Sequence, residues 1–134
     1  MTSHRLLVTG LDGFVGTTVQ KVLDTSAHLW PFELVTPDQK FDLTERDSVF
    51  QAIQETQPNY VLHLAGQSSV PASFQNPTAT YQTNFLGTLN LVEALKDINF
   101  NGRMVYVSSG EVYGRVDETQ MPITENHTLK PHNP

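Results

Sequence analysis

The stretch Arg5-Leu6-Leu7-Val8-Thr9-Gly10-Leu11-Asp12-Gly13-Phe14-Val15-Gly16 decides the fold of this chain. It begins with a nearly continuous apolar run, which is typical of parallel strands that are covered on both faces. Glycines follow at relative positions 1, 4 and 7, and a helical period then begins with Val15, Val19 and Val22. The stretch therefore predicts a strand, a glycine turn and a helix, which together start a βαβ unit.

The three glycines of this turn each have a physical purpose. Gly10 permits the sharp exit from the strand, Gly13 leaves room for a phosphate to approach the backbone, and Gly16 lets the helix pack tightly. The helix N-terminus adds free N–H groups that attract an anion. We therefore predict that the turn binds the pyrophosphate of a dinucleotide through Gly10, Leu11, Asp12, Gly13, Phe14, Val15 and Gly16. A tight turn without a ligand is the alternative.

Short β-rich runs alternate with helical segments along the rest of the chain, which is typical of βαβ units and a parallel sheet. The runs predict strands at residues 5–9, 32–36, 60–65 and 103–108, with a very short one at 40–42. Right-handed crossovers in a doubly wound α/β fold then predict about five strands in the order 3-2-1-4-5. We expect one domain over residues 1–134.

Two of the predicted helices have definite start signals. Thr44 is the expected N-cap of the first, whose apolar face contains Val49 and Ile53 and which ends before Pro58. The second starts at Asn76-Pro77, with proline at the first helical position. Its period predicts a core face made of Tyr81, Phe85, Thr88, Val92 and Leu95.

Composition and charge exclude several functional classes. The 134 residues are 38% hydrophobic and 16% charged, as in a globular domain. The formal net charge is −6 and the eight Lys and Arg residues are scattered, so we expect no nucleic-acid partner. The absence of cysteine excludes disulfides and a thiolate nucleophile, and we predict no metal site. The N-terminal apolar run is too short for a signal peptide or membrane span, which predicts a cytoplasmic protein without a membrane partner.

The residue that would contact the adenosine ribose is expected at the end of the second strand. Asp38 is the candidate, although it follows a proline and lies slightly late, so a surface turn residue is the alternative. No arginine lies nearby to bind a 2′-phosphate. The sequence therefore leaves NAD and NADP both open.

Four further motifs follow the glycine turn in order and cover nearly the whole chain. They are Asp42-Leu43, His63-Leu64-Ala65-Gly66, Asn84-x-x-Gly87-Thr88 and the stretch from Ser108 to Gly114. With the Gly-x-x-Gly-x-x-Gly turn they resemble the extended short-chain dehydrogenase/reductases, the NAD-dependent epimerase/dehydratase family. This resemblance implies a Rossmann-type doubly wound sheet and a bound NAD or NADP. It further implies adenine contacts at Asp42 and Leu43 and other cofactor contacts at Leu64, Ala65, Gly66, Asn84 and Ser108.

Two loops are similar to the branch of this family that acts on GDP-mannose derivatives: residues 66–70 and Ser109-Gly110-Glu111. The branch implies hydride transfer to or from a sugar carbon, most simply reduction of a GDP-4-keto-6-deoxy-hexose. GDP-mannose 4,6-dehydration and another sugar-nucleotide epimerisation or dehydration are the alternatives. The resemblance implies that Gln67, Ser69 and Ser109 contact the nucleotide-sugar substrate.

The same resemblance assigns the catalytic candidates. Ser109 would hydrogen-bond the reacting sugar oxygen, and a serine that caps a turn is the alternative. Glu111 matches the base of the dehydratases, but Gly110 stands where an acid or hydroxyl usually precedes it, which favours a reductase; a surface glutamate is the alternative. His63 lies inside an apolar strand and is expected to be a buried core residue.

The decisive motif of the family, Tyr-x-x-x-Lys, is absent from the chain, and residues 131–134 resemble the segment that precedes it. We therefore expect an N-terminal fragment of a homodimeric enzyme that lacks the substrate domain and is inactive alone. Its last strand would have an unpaired edge that invites association. A short dinucleotide-binding or interaction module without catalysis is the alternative from another functional class.

Overall fold

The computed structural model describes residues 4–26 and 28–134 and contains one sheet of four parallel strands. The strands are β1 (His4–Thr9), β2 (Phe32–Val35), β3 (Tyr60–His63) and β4 (Arg103–Tyr106). Their order is β2-β1-β3-β4, and every neighbouring pair is parallel. The predicted doubly wound α/β sheet is thus confirmed, including the relative order of these four strands.

The predicted short strand at residues 40–42 is wrong, so the sheet has four strands instead of five. The Asp42 carboxylate accepts hydrogen bonds from the backbone N–H and the hydroxyl of Thr44, both at 2.8 Å. The N–H of Asp42 in turn donates to Ser48 Oγ at 3.3 Å. Because these local bonds use the polar groups of the segment, it forms a turn and does not pair with β2.

Helices connect the strands and cover the sheet. They are α1 (Phe14–Thr25), α2 (Arg46–Thr56), α3 (Val70–Gln75), α4 (Pro77–Tyr81) and α5 (Gly87–Asp97). A π-helical turn, Gln82–Leu86, joins α4 to α5, and two 3₁₀ turns, Gly110–Tyr113 and Glu118–Gln120, follow β4. Within the described residues, no helix is long and apolar enough to span a membrane.

The start of α2 differs from the prediction by one residue. Glu45 is its N-cap, because Thr44 is already bound to the Asp42 carboxylate. The predicted apolar face is confirmed, since Val49 and Ile53 are both fully buried. The helix ends at Thr56, before Pro58, as expected.

The start of the second predicted helix is confirmed, because the side chain of Asn76 accepts from the N–H of Ala79 at 3.0 Å. Its predicted core face is mostly wrong: Tyr81, Phe85 and Val92 are exposed by 58%, 63% and 46%, Thr88 is half-buried and only Leu95 is buried. The residues that are buried are Thr80, Gly87, Leu91, Ala94 and Leu95. Small or polar side chains are frequent on this buried face because the helix lies close to its neighbours. The hydrophobic period of the sequence therefore does not indicate which face is buried.

The main core lies between α2, α5 and one face of the sheet. Its buried members are Leu7, Val35, Leu43, Val49, Ile53, Val61, Leu91, Ala94 and Leu95. Right-handed crossovers place α2 and α5 on this face and α1 on the opposite face. That opposite face is more open, and the exposed side chains of β4, including Val105 at 51%, agree with the expected exposed edge strand.

Candidate functional site at the carboxyl edge of the sheet

The predicted site residues gather at one edge of the sheet. The carboxyl ends of parallel strands share an edge, so the loops after β1, β3 and β4 lie together there. These loops are the glycine turn (residues 10–16), the β3 loop (residues 64–69) and the β4 loop (residues 107–111). The arrangement matches the place where open α/β sheets bind ligands.

Gly10 fixes the contact between the glycine turn and the β3 loop. Its φ angle is +76°, and a Cβ built there would lie 2.9 Å from the backbone nitrogen of Ala65. A side chain is therefore excluded both by conformation and by space. The glycine turn thus lies directly against the backbone that follows β3.

Gly16 and Gly13 have the roles in packing that their positions predict. A Cβ on Gly16 would approach the carbonyl oxygen of Gly10 to 2.2 Å, so only glycine allows α1 to lie this close to the strand exit. At Gly13 a Cβ would meet one atom within 4 Å, the Gly10 oxygen at 3.2 Å. The outer side of Gly13 is therefore open to an approaching group.

The N-terminus of α1 can receive an anion. Gly13 is its N-cap and supplies no side-chain hydrogen bond, and the first turn contains no acidic residue. Helix geometry leaves the first N–H groups without intrahelical partners. Together with the open side of Gly13, these groups fit the pyrophosphate of a dinucleotide.

A lysine beside the glycine turn was missed at the sequence level. Lys40 Nζ lies 2.7 Å from Asp12 Oδ2, and both side chains are exposed. The hydrogen bond with Lys40 and its charge lower the pKa of Asp12, and the same two effects from Asp12 raise the pKa of Lys40. The position of Lys40 shortly after the second strand was the signal in the sequence.

The residues predicted to contact the adenosine, Asp38, Asp42 and Leu43, differ in their exposure. The N–H of Asp38 donates to Glu55 Oε1 at 2.7 Å, and its exposed side chain lies in the turn after β2. Hydrogen bonds from Thr44 lower the pKa of Asp42. Leu43 is only 8% exposed and belongs to the core. Asp42 therefore stabilises the local turn and Leu43 packs in the core.

Asn84, on the π-helical turn, holds the β3 loop through its side chain. Its Oδ1 accepts from the N–H of Gln67 at 2.7 Å, and its Nδ2 donates to the carbonyl of Gln67 at 3.0 Å. The side-chain amide nitrogen of Gln67, Nε2, donates to the Ser69 carbonyl at 3.1 Å and to Thr80 Oγ1 at 3.2 Å. Ser69 also caps α3 through Ala72. The structure thus brings Gln67, Ser69 and Asn84 together in one hydrogen-bonded loop.

His63 is buried, as the sequence predicts, with 1% of its surface exposed. Its Nδ1 lies 2.6 Å from Thr9 Oγ1 and its Nε2 lies 2.9 Å from Thr88 Oγ1. Burial lowers its pKa. Both ring nitrogens are therefore occupied by protein groups.

The β4 loop carries Ser108, Ser109 and Glu111, all of them exposed. Ser109 Oγ accepts from the N–H of Glu111 at 3.2 Å and caps the 3₁₀ turn. Accepting this bond does not use the hydroxyl hydrogen, so capping and donation to a substrate are compatible. Glu111 Oε2 accepts from Asn133 Nδ2 at 3.0 Å, and a Cβ on Gly110 would meet nothing within 4 Å.

Comparison with known sequences identifies the family of this site. The sequence model of the family described as GDP-mannose 4,6 dehydratase matches residues 35–134. The chain is similar to the GDP-6-deoxy-D-mannose reductase of Pseudomonas aeruginosa, with 47% identity over 98% of this chain and 42% of the relative. It is also 33% identical to the GDP-6-deoxy-D-talose 4-dehydrogenase of Aggregatibacter actinomycetemcomitans, over 96% of this chain and 42% of that protein.

Solved structures give the same result. The structure of RMD from Pseudomonas aeruginosa complexed with NADPH matches with a TM-score of 0.90 and 45% identity, over 97% of this chain and 44% of that chain. The UDP-glucose 4-epimerase of Thermus thermophilus in complex with NAD matches with a TM-score of 0.82 and 29% identity, over 96% and 45% of the two chains. The chain thus spans less than half the length of these relatives. It belongs to the GDP-mannose 4,6-dehydratase family, within the NAD-dependent epimerase/dehydratase superfamily.

Proposed function

We propose that this chain is the nucleotide-binding portion of an NAD(P)-dependent sugar-nucleotide oxidoreductase that reduces a GDP-4-keto-6-deoxy-hexose. One observation carries the proposal: the open glycine turn at the N-terminus of α1 shares an edge with the β3 and β4 loops. Similarity to a GDP-6-deoxy-D-mannose reductase and to an NADPH-bound structure supports the choice of cofactor and substrate.

In this proposal the pyrophosphate binds at the glycine turn, residues 10–16, and the adenosine lies towards Asp38, Asp42 and Leu43. The backbone of Leu64, Ala65 and Gly66 and the hydroxyl of Ser108 line the remainder of the cofactor. Asn84 contributes through Gln67, since both ends of its amide are bound to that backbone. The bound nicotinamide supplies the hydride.

In the proposed reaction the Ser109 hydroxyl donates a hydrogen bond to the reacting sugar oxygen. The N–H of Glu111 donates to the Ser109 oxygen and orients it. Gln67 and Ser69 border the sugar nucleotide from the β3 loop. Gly110 stands where an acid or hydroxyl residue usually precedes the glutamate of the dehydratases, and this favours reduction over dehydration.

A non-catalytic dinucleotide-binding module is the second candidate, because the 134 residues contain no Tyr-x-x-x-Lys. We therefore propose that these residues alone give no turnover, and that catalysis belongs to a longer protein with a substrate domain. The exposed apolar side chains at the end of β4 and just after it, Val105, Tyr106 and Val107, support further chain packing there.

We also propose that the enzyme is a homodimer in the cytoplasm. A second copy covers the outer face of α4, the π-helical turn and α5. Tyr81, Phe85 and Val92 form an exposed apolar stripe on this face, which two copies can share symmetrically. Sedimentation should show a dimer that Phe85→Glu converts to a monomer. Phe74→Glu, at a phenylalanine equally exposed on α3, should leave the dimer intact. A dimer that resists Phe85→Glu contradicts this interface, and cell fractionation checks the location.

Calorimetric titration with NADP and NAD tests the proposed function directly. We expect saturable binding that Gly13→Asp abolishes, because a carboxylate would stand where the pyrophosphate binds. Gly110→Asp is the matched control, since its side chain would enter open space, and it should bind as the wild type does. Absence of binding to the wild-type protein contradicts the proposal. NADPH oxidation with GDP-4-keto-6-deoxy-mannose by the intact enzyme then separates a reductase from a dehydratase, which would consume GDP-mannose instead.

A further inference from the structure

The buried ring of His63 joins three elements that meet beneath the site. It stands at the end of β3, paired in register with Thr9 of β1. Nδ1 lies 2.6 Å from the Thr9 hydroxyl, and Nε2 lies 2.9 Å from the hydroxyl of Thr88 on α5. One imidazole therefore spans from the central strand to the helix that packs over it.

The directions of the hydrogen bonds around His63 follow from the Asn84 carbonyl, which accepts the hydrogen of the Thr88 hydroxyl. The Thr88 hydroxyl donates its single hydrogen to the carbonyl of Asn84 at 2.7 Å, so it can only accept from His63. Nε2 must then carry a hydrogen, and in the neutral ring Nδ1 has none. Thr9 therefore donates to Nδ1, and its oxygen accepts from the N–H of Ala65 at 3.2 Å.

We propose that His63 is a positioning residue whose neutral Nε2–H tautomer sets the β3 loop against the glycine turn. This inference rests on the proposed function, because it assigns a role in dinucleotide binding. The loop is held at two points, at Ala65 by Thr9 and at Gln67 by Asn84. His63 connects these two points, since it bonds to Thr9 on one side and, through Thr88, to Asn84 on the other.

The consequence for binding comes from the close approach of Gly10 to this loop. A Cβ on Gly10 would lie 2.9 to 3.1 Å from backbone atoms of Leu64 and Ala65. A shift of the β3 loop by a few tenths of an ångström therefore changes the space in which the turn receives the pyrophosphate. The His63 group thus acts on the cofactor site without touching the cofactor.

Protonation of His63 disrupts this arrangement. A hydrogen on Nδ1 removes the acceptor of the Thr9 hydroxyl and leaves that hydroxyl buried without an acceptor. The groups that face the ring are Thr9 from β1, Thr88 from α5 and Tyr106 from β4, whose ring lies 5.5 Å away, and none is a carboxylate. Burial lowers the pKa of His63 below its ordinary value of 6.5, so the neutral form persists at pH 7. The arrangement therefore persists to pH values below 6.5 and is lost only as the pH falls through the lowered pKa of the folded state.

Nitrogen NMR of the imidazole rings in the intact protein tests the tautomer without any ligand. At pH 7 we expect the His63 signals of a neutral ring protonated at Nε2, with exposed His28 as an internal reference. A ring protonated at Nδ1, or one that is charged at pH 7, would overturn the inference. This measurement uses only the wild-type protein, so it does not depend on whether a variant folds.

Affinity for NADP as a function of pH tests the positioning role. As the pH falls from 7.5 through the point at which the NMR signals show that His63 becomes protonated, the wild type should lose more affinity than His63→Gln, whose side chain does not titrate. The comparison with His63→Gln cancels titration of the cofactor phosphate. At pH 7.5, Thr88→Val should weaken binding about tenfold, because it removes the acceptor that fixes the tautomer. Thr25→Val, at an exposed threonine whose hydroxyl donates to the Lys21 carbonyl within α1, should bind normally. Unchanged affinity in Thr88→Val, or an equal pH dependence in His63→Gln, would overturn the inference. A wild type that binds no NADP at any pH overturns the proposed function instead, whatever the NMR result.

Discussion

The two faces of the sheet are similarly apolar in sequence but very differently covered. On the face towards α2 and α5, Leu7, Ile53 and Leu91 are at most 1% exposed. On the side of α1, Val15 and Val22 of the helix are 52% and 43% exposed. The face towards α2 and α5 is a well-packed core, whereas apolar side chains on the α1 side remain exposed.

This difference teaches where the stability of the described residues comes from. Full burial of a Leu or Ile side chain contributes roughly 1.5–3 kcal/mol, and the α2–α5 face contains most such residues. Helix α1 has fewer buried side chains, and Gly16 packs closely on the strand exit. The proposed dinucleotide site thus lies where the well-covered face of the sheet meets the more open one.

The largest expected effect is in the well-covered face. Ile53→Ala should lower the free energy of unfolding by about 2–5 kcal/mol, because it leaves a cavity in a fully buried position. Val22→Ala, on the open face, should cost less than about 1 kcal/mol. Urea denaturation of both variants checks this contrast, with Ile53→Val as a milder variant that should cost about 0.5–1.5 kcal/mol. Equal losses at positions 53 and 22 would mean that another part of the protein covers the α1 side.

A smaller effect is expected where α1 meets the sheet. Gly16→Ala should destabilise the protein by about 1–3 kcal/mol, because its Cβ meets the Gly10 carbonyl and the backbone must move. Alanine is otherwise the better helix former, so a loss identifies the contact and not helix propensity. Thermal unfolding measures the change, with Gly110→Ala as a control expected within about 0.5 kcal/mol of the wild type. A stabilised Gly16→Ala variant would show that α1 is not packed this tightly.

The smallest effect concerns the exposed ion pair at the glycine turn. Lys40→Met should raise the pKa of Asp12 towards its ordinary value of 3.8, because the hydrogen bond and the charge that lower it are removed. NMR titration of the carboxyl groups measures this shift. Asp117 is the control, since its lowered pKa comes from hydrogen bonds with Thr119 and should not change. An unshifted Asp12 would mean that the pair does not form in solution.

The sequence predicted those features of the fold and the site that depend on neighbouring residues. The glycine turn, the proline at the start of α4 and the end of α2 before Pro58 all follow from the chemistry of adjacent residues. The positive φ of Gly10 and the tight packing at Gly16 agree with the roles their spacing indicated. The cofactor and substrate contacts of these residues stay predictions.

The errors arose where a long-range contact outweighed a local pattern. Tyr81 and Phe85 have the period of a core stripe, yet the helix turns Gly87 and Leu91 inward. The reason is close packing: a Cβ on Gly87 would lie only 3.0 Å from the Cβ of Leu43. Hydrophobic period cannot detect a face that is selected for small side chains.

The sequence by itself determined the order of strands and helices and the position of the glycine turn, because turn chemistry and periodicity depend on neighbouring residues. Only the tertiary structure decided how the loops of the site are held. Asn84 bonds to Gln67 across 17 residues, and His63 bonds to Thr88 across 25 and to Thr9 across 54. The tautomer proposed for His63 depends on Thr88, whose hydroxyl donates to the Asn84 carbonyl, and hydrogen-bond direction is a property of the folded arrangement.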